Sequence, residues 1–399
     1  MVLKMEKSSR NVIDFMDKEN IAFDHAWCED NKIWCMGKTI NYIFCMDTDT
    51  RRINIGVKIP DVPVMGYRDY HQVVKVGNKM VCLPSMAKEI IIYDFVQCSV
   101  KKIIADRSYE HEQITWCFAG RVEHKLYIIS SPLKQIAVLD LQQDELEACY
   151  PIGCLYGDDK IGFQHVLYKN RLYIPVRNRS EMIVFDTVEH KFDHVQIEQD
   201  GEGYTRICRS DKSLWLIGEH YGIVKWDLNS GEWHKIDSFP EDFQIFESDL
   251  DSGEIEWHPY QGRGSECFFF SWETFCDGRY VWIVPHLSNS VICIEKNTDV
   301  IRRVEFADED EETGSMGGRT DSYKFAFLGV EKGRYIRILS IKNSVVYCID
   351  NETFTYCIER WEMDLEELQD LVKITWNMGQ EEKRSMGLRT LIDYLLTSR

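Results

Sequence analysis

The chain has 399 residues, of which 44% are hydrophobic and 28% charged, with a formal net charge of −19 and a pI near 5.1. That apolar fraction excludes an intrinsically disordered chain and suffices for a large core. The acid excess repels phosphate backbones and anionic membrane surfaces, so no nucleic-acid or membrane partner is expected, and the charge itself serves solubility.

No apolar run approaches the roughly 18–20 residues of a membrane-spanning helix. The first residues, Met1–Lys7, lack the apolar core of a signal peptide, which makes a reducing, cytoplasmic compartment the expectation. The fourteen cysteines then read as small buried hydrophobes, because most sit in strand-like runs, as Cys35, Cys45, Cys82, Cys117, Cys208, Cys293 and Cys348 do. None forms a C-x-x-C pair; the closest spacing is that of Cys149 and Cys154, so zinc and disulfide readings are set aside.

In chain order, residues 1–20 form an N-terminal segment in which Asn11–Met16 is a candidate closing strand. From residue 21 to 360 one pattern is written seven times. Its clearest copy is a strand at Asn170–Pro175, a turn, and a second strand at Met182–Asp186. The acidic residue ending that second strand falls at Asp47, Asp94, Asp140, Asp186, Asp227, Glu295 and Asp350, at intervals of 47, 46, 46, 41, 68 and 55 residues. The preceding strands begin near Asn31, Asn78, His124, Asn170, Lys212, Gly278 and Gly333. Each unit also has an upstream and a downstream strand, Phe163–Tyr168 and Lys191–Ile197 in the fourth unit. Four short strands every 45 residues or so, separated by turns, predict the blades of an all-β, seven-bladed β-propeller. Runs such as Ile90–Tyr93 and Met182–Phe185 are apolar throughout, as a strand buried on both faces must be. The aspartates suit turn capping, since their carboxylates can accept amide hydrogens two residues on.

These residues resemble the broad β-propeller superfamily over about residues 20–360. The apolar strand ending in Asp, followed by a polar turn and an outer strand, is similar to streptogramin-lyase-type and, more distantly, kelch-like propellers. The Gly-Gly doublet of kelch repeats is missing, and the Trp-Asp dipeptide of WD repeats occurs once, at Trp226-Asp227. The resemblance implies a fold rather than an activity, because propellers host unrelated functions.

Two insertions break the regularity, at residues 237–265 and 307–318. The second is acidic but lacks the ligand spacing of an EF-hand and reads as a mobile, solvated loop. Beyond residue 360 the period changes. Asp364–Val372 places apolar residues at helical spacing behind an acidic first turn, and Met386, Leu388, Leu391, Ile392, Leu395 and Leu396 make a second amphipathic stripe. Residues 361–399 are thus expected as C-terminal amphipathic helices that cap the propeller, or that dock a partner or a second copy.

Propeller inner strands line a central channel, so equivalent positions can be compared. Eight residues before the first apolar residue of each second strand stand His25, Gln72, Phe118, Gln164, Arg206 and Glu273, and in the last unit Phe327 or Leu328. Neighbours add Asp24, His71, Trp116, His165 and Trp272, and turns on the same face add Ser85, Ser131, Arg177, Asn178, Arg179, Glu219, His220, Tyr221 and His286. Three readings stand side by side. The polar residues can line a hydrated channel. They can bind a small polar ligand, glycan or protein segment, gripped by Arg177, Arg206, Trp116 and Trp272. Or a divalent metal such as manganese, zinc or magnesium can be held by His25, Gln164, Glu273 and His286, with His71, His165 and His220 nearby, for a lyase or hydrolase reaction. Gly37-Lys38-Thr39 imitates the end of a P-loop, but Lys32 stands where its first glycine belongs.

Overall fold

A computed structural model describes residues 23–37, 39–64, 69–104, 115–155, 159–197, 203–218, 222–248, 255–259, 271–285, 288, 290–306, 325–331, 333–340, 345–364, 366–371 and 373–374. The fold is an all-β, seven-bladed β-propeller. Its blades are antiparallel four-stranded sheets spanning Phe23–Lys58, Tyr70–Ile104, Trp116–Pro151, Val166–Gln196, Tyr204–Ile236, Ser271–Val304 and Phe325–Glu359. Among the described residues the strands of every blade lie in the sheet in sequence order. Residues 1–20 and the second C-terminal stripe lie outside the described residues.

Burial follows strand position. In the third blade the second and third strands, Lys125–Ser130 and Gln135–Asp140, are buried at every residue but the first. The fourth strand, Glu145–Pro151, alternates exposed and half-buried residues instead. Both faces of a middle strand meet a neighbouring blade, whereas an outer strand turns one face to water.

The chain divides into two compact units, residues 1–75 with 328–399, and residues 76–327. In the second unit the cores form between neighbouring blades. One joins Tyr127, Ile129, Ile136 and Val138 of the third blade to Leu172, Ile174, Ile183 and Phe185 of the fourth. The next joins Tyr173, Met182 and Val184 to Tyr204, Ile207 and Leu214, and a third joins Trp215 and Ile217 to Val281 and Ile283. Each such aliphatic side chain contributes on the order of 1.5–3 kcal/mol by leaving water. The first insertion is not a bare loop: Gln244–Ser248 and Ile255–Pro259 pair as a hairpin, and Phe243 and Ile245 are buried in the core between the fifth and sixth blades.

The aspartate turns form as expected. Asp47, Asp94, Asp140, Asp186 and Asp227 each accept the amide hydrogens two and three residues on, at 2.7–3.1 Å. Those bonds favour the ionised form and hold the carboxyls of Asp47, Asp94, Asp186 and Asp227 below the usual range. Glu295, one methylene longer, takes Arg279 and the Thr298 hydroxyl instead.

In the first unit the first and last blades touch through their inner strands, where the Cys28 thiol donates to the Leu328 carbonyl at 2.9 Å. Behind them Arg337 is buried between Glu331 at 2.8 Å and Glu359 at 2.9 Å. The outer strand of the first blade, Arg52–Lys58, is covered by the segment after the last blade. Glu362 bridges it in parallel register, and the Ile53 amide donates to the Glu362 carbonyl at 2.8 Å. The helical residues 366–371 follow: Glu367 accepts the Ile55 amide at 3.2 Å, and Asp364 and Asp370 pair with Arg52 and Lys58. Satisfying these edge groups removes a template for pairing with another chain.

Candidate functional site

The site residues of the second unit are gathered by backbone irregularities. In the fifth blade Tyr204 faces Gly218 and Arg206 faces Ile217, so Thr205 is an extra residue; in the sixth, Ser271 faces Pro285 and Glu273 faces Val284, so Trp272 is extra. The third blade carries the same two-against-one irregularity at Ala119, between Phe118 and Gly120. A bulge bends its strand and re-aims the adjoining side chains. It places Arg206 and Glu273 at the bulged ends of two inner strands.

The fourth blade differs from the expected Phe163–Tyr168 strand, for its inner strand is only Val166–Tyr168. Before it the backbone stays with its own blade at Gly162, whose amide donates to the Pro175 carbonyl at 2.8 Å, and then turns outward: the Phe163 amide donates to the Thr205 carbonyl of the fifth blade at 2.8 Å. Gln164 then acts as a side-chain substitute for a strand. Its Nε2 donates to the Thr274 carbonyl at 2.5 Å, and its Oε1 accepts the Thr274 amide at 3.3 Å. Only glycine allows the chain to approach this closely, because a Cβ at Gly203 would lie 1.8 Å from the Val176 carbonyl oxygen and one at Gly162 3.0 Å from that of Thr205.

Around this turn the polar groups converge. The Arg206 guanidinium, only 3% exposed, lies 4.5 Å from the Phe163 ring centroid, and that of Arg177 lies 4.4 Å from the same centroid. The charge of Arg206 reaches Cys117 of the third blade, His165 of the fourth and Glu273 of the sixth. Burial drives His165 down to about 4, with Arg206 adding to the effect and the Phe118 carbonyl opposing it, so the ring is neutral near pH 7. Burial pushes Glu273 up to about 8 despite Arg206, which keeps its carboxyl protonated at neutral pH. The residue is partly exposed, but its Oε2 is out of contact with solvent. Burial likewise raises Cys117 to about 11. Two residues beyond Arg206, the Cys208 thiol meets that of Cys276 at 3.0 Å, tying the two inner strands together.

The remaining predicted residues are distributed as follows. Arg177 is half-buried beside Phe163, whereas Trp116 is 2% exposed and belongs to the core. Asn178 accepts the Lys160 amide, and Arg179 is engaged by Asp159 and Glu181. The Ser85 hydroxyl lies 3.4 Å from that of Thr115. In the first unit His25 and His71 meet edge to face at 5.7 Å, with Gln72 beside His71 in sequence, and a further bulge falls between Phe23 and Ala26. Glu219, His220, Tyr221 and His286 lie outside the described residues, as do the side chains of Asp24 and Trp272.

The metal reading requires open, ionised or lone-pair donors. Both ends of the Gln164 amide are engaged by the Thr274 backbone. Among the described residues no three His, Cys, Asp or Glu side chains are grouped as a metal site. The described donors therefore do not fit a resident divalent ion, and no reaction step is derived through one.

Sequence reasoning named Arg206, Gln164, Glu273 and Arg177 as candidates and did not name Phe163, whose ring lies against both guanidiniums. In sequence Phe163 reads as the first residue of the Phe163–Tyr168 strand, which begins instead at Val166.

No protein-family model and no curated protein matches the chain. Solved structures do. The structure of U3-55K is similar with a TM-score of 0.52 and 12% identity, over 78% of this chain and 85% of that one. The RRP9 WD40 repeats are similar at 0.51 and 12%, over 78% and 84%. The computationally designed Ika8 protein is similar at 0.52 and 9%, over 86% and 88%. At these identities the likeness concerns the fold alone.

Proposed function

We propose that this protein is a recognition module that binds a small polar ligand, glycan or protein segment where the inner strands of the third to sixth blades converge. The observation that carries the reading is the convergence on Arg206 of Cys117, His165 and Glu273 from three other blades, beside a Phe163 that is 39% exposed. A few convergent polar groups beside an accessible aromatic ring are the elements by which a mostly apolar binding site orients its ligand. A protein segment is the occupant we favour. A cytoplasmic location goes with this reading, because the thirteen described cysteines are all free thiols. Among the described residues no helix is long and apolar enough to cross a membrane.

The test is selection of random dodecapeptides displayed on phage against the immobilised protein. Clones specific for the site are expected to lose binding to Phe163→Ala and Arg177→Gln, and to keep it with Lys191→Gln on the exposed outer strand of the fourth blade. Enrichment only of clones indifferent to Phe163 and Arg177 would place recognition elsewhere.

A further inference from the structure

We infer that Cys208 and Cys276 form an oxidisable dithiol, a modification site at which a peroxide closes a reversible disulfide between the fifth and sixth blades. This holds whatever the recognition site binds. The two thiols stand 68 residues apart in sequence and 3.0 Å apart in space, sulfur to sulfur. They belong to the inner strands Tyr204–Ser210 and Ser271–Cys276, which lie in different sheets. Cys208 is buried in the apolar cluster that joins those sheets, with Trp215, Ile217, Val281 and Ile283, and Cys276 packs against the same cluster.

Position separates this pair from other cysteines. Cys35, Cys82 and Cys293 are 0% exposed, where an oxidant has no access. Cys348 faces Cys357 directly across a ladder, but those two strands are already hydrogen-bonded neighbours of one blade, so a bond there would join nothing new. The Cys208–Cys276 pair combines a buried thiol with a partly exposed one. Cys276 ends its strand and is followed by a turn in which Gly278 and Arg279 are exposed, the side from which a small oxidant reaches it.

The two sulfurs have different roles. The thiolate is the nucleophile, and burial, together with the contact to Cys276, holds the Cys208 thiol well above its usual range. The accessible Cys276 therefore reacts first. Its sulfur attacks one peroxide oxygen: the S–O bond forms, the O–O bond breaks, and hydroxide leaves and takes up the proton that the thiol released. Cys276 is now a sulfenic acid. The Cys208 sulfur then attacks the sulfenic sulfur: the S–S bond forms, the S–O bond breaks, and hydroxide leaves with the Cys208 proton as water. Two thiols and one peroxide thus give one disulfide and two waters, the sulfurs supplying the two electrons that reduce the peroxide. Closure brings the sulfurs together by about 1 Å, a side-chain movement rather than a change of fold. A small thiol reverses it by exchange, as suits a reducing compartment, where such bonds are transient.

The experiment treats the full reduced chain, freed of reductant, with a few equivalents of hydrogen peroxide at neutral pH. The intact mass should fall by two hydrogens, a non-reducing digest should contain a cross-linked peptide holding Cys208 and Cys276, and dithiothreitol should restore both thiols. Closing a loop of 68 residues should raise the melting temperature by about 5 °C. In Cys208→Ser the reaction should stop at the Cys276 sulfenic acid, which dimedone traps, whereas Cys276→Ser should leave Cys208 a free thiol. The wild-type digest requires no variant and decides the matter if either substitution prevents folding. Cys208 and Cys276 both still alkylatable once peroxide has oxidised the exposed Cys98, Cys149 or Cys357 would overturn the assignment, as would a bond between Cys348 and Cys357 in its place.

Discussion

Glu273→Gln is expected to stabilise the protein, and to do so increasingly as pH rises. In the native state burial holds the Glu273 carboxyl at about 8, against an ordinary 4.5 in the unfolded chain. Between those values the unfolded state releases the proton and the native state keeps it. The native state thus binds more protons, and stability falls as pH rises, by up to about 1.4 kcal/mol per pH unit. The contribution is fully present below pH 4.5 and is lost as pH passes 8. The limiting sum is roughly 5 kcal/mol. Because the residue is partly exposed, about 3 kcal/mol is the working expectation. Glutamine resembles the protonated carboxyl and cannot ionise, so the variant escapes this loss. His165, held near 4 against an ordinary 6.5, adds its own pH dependence between those values, but it is shared by both proteins and cancels in their difference, and Cys117, pushed up to about 11, does not titrate in this range. Urea titrations of both proteins at pH 5, 6, 7 and 8 read the effect directly. The two stability curves should nearly meet at pH 5 and diverge by pH 8. Curves that stay parallel across that range would refute the assignment of Glu273 as a buried, protonated acid.

Other expectations follow from the same geometry. Arg337→Met removes the buried cation between Glu331 and Glu359, leaving Glu359 only the more distant Arg51 at 3.8 Å, and should cost about 3 kcal/mol in chemical denaturation, whereas replacing all three with apolar residues should recover most of it. Asp186→Ala removes two amide hydrogen bonds from one turn and should cost about 1 kcal/mol, with Asp186→Asn milder. Because that carboxyl is held low, its contribution is present above its unfolded pKa and lost as pH falls through the folded one, so Asp186→Asn should flatten the acid limb of the stability curve. Deleting residues 363–399 uncovers the edge of the first blade's outer strand and should give concentration-dependent self-association in sedimentation velocity; a clean monomer would show that the covering segment is dispensable.

The sequence by itself determined the repeat and hence the fold. Apolar runs such as Ile90–Tyr93 and the aspartates that end them are local signals, set by burial on both faces of a strand and by a turn whose amides two and three residues on the carboxylate accepts. Counting back along each unit also named Arg206, Gln164 and Glu273 as equivalent candidates, of which Arg206 and Glu273 lie in paired inner strands while Gln164 precedes its own. Only the tertiary structure decided what those residues do. Whether Gln164 faces a ligand or replaces a strand depends on the Thr274 backbone, 110 residues away. Trp116 is a plausible grip in sequence and a core residue in space. The bulges at Thr205 and Trp272, and the turn of Phe163 toward the fifth blade, leave no periodic trace, because a one-residue register slip is set by how neighbouring blades pack. The protonation of Glu273 and the neutrality of His165 were equally hidden, since desolvation is a property of the surroundings and not of the residue.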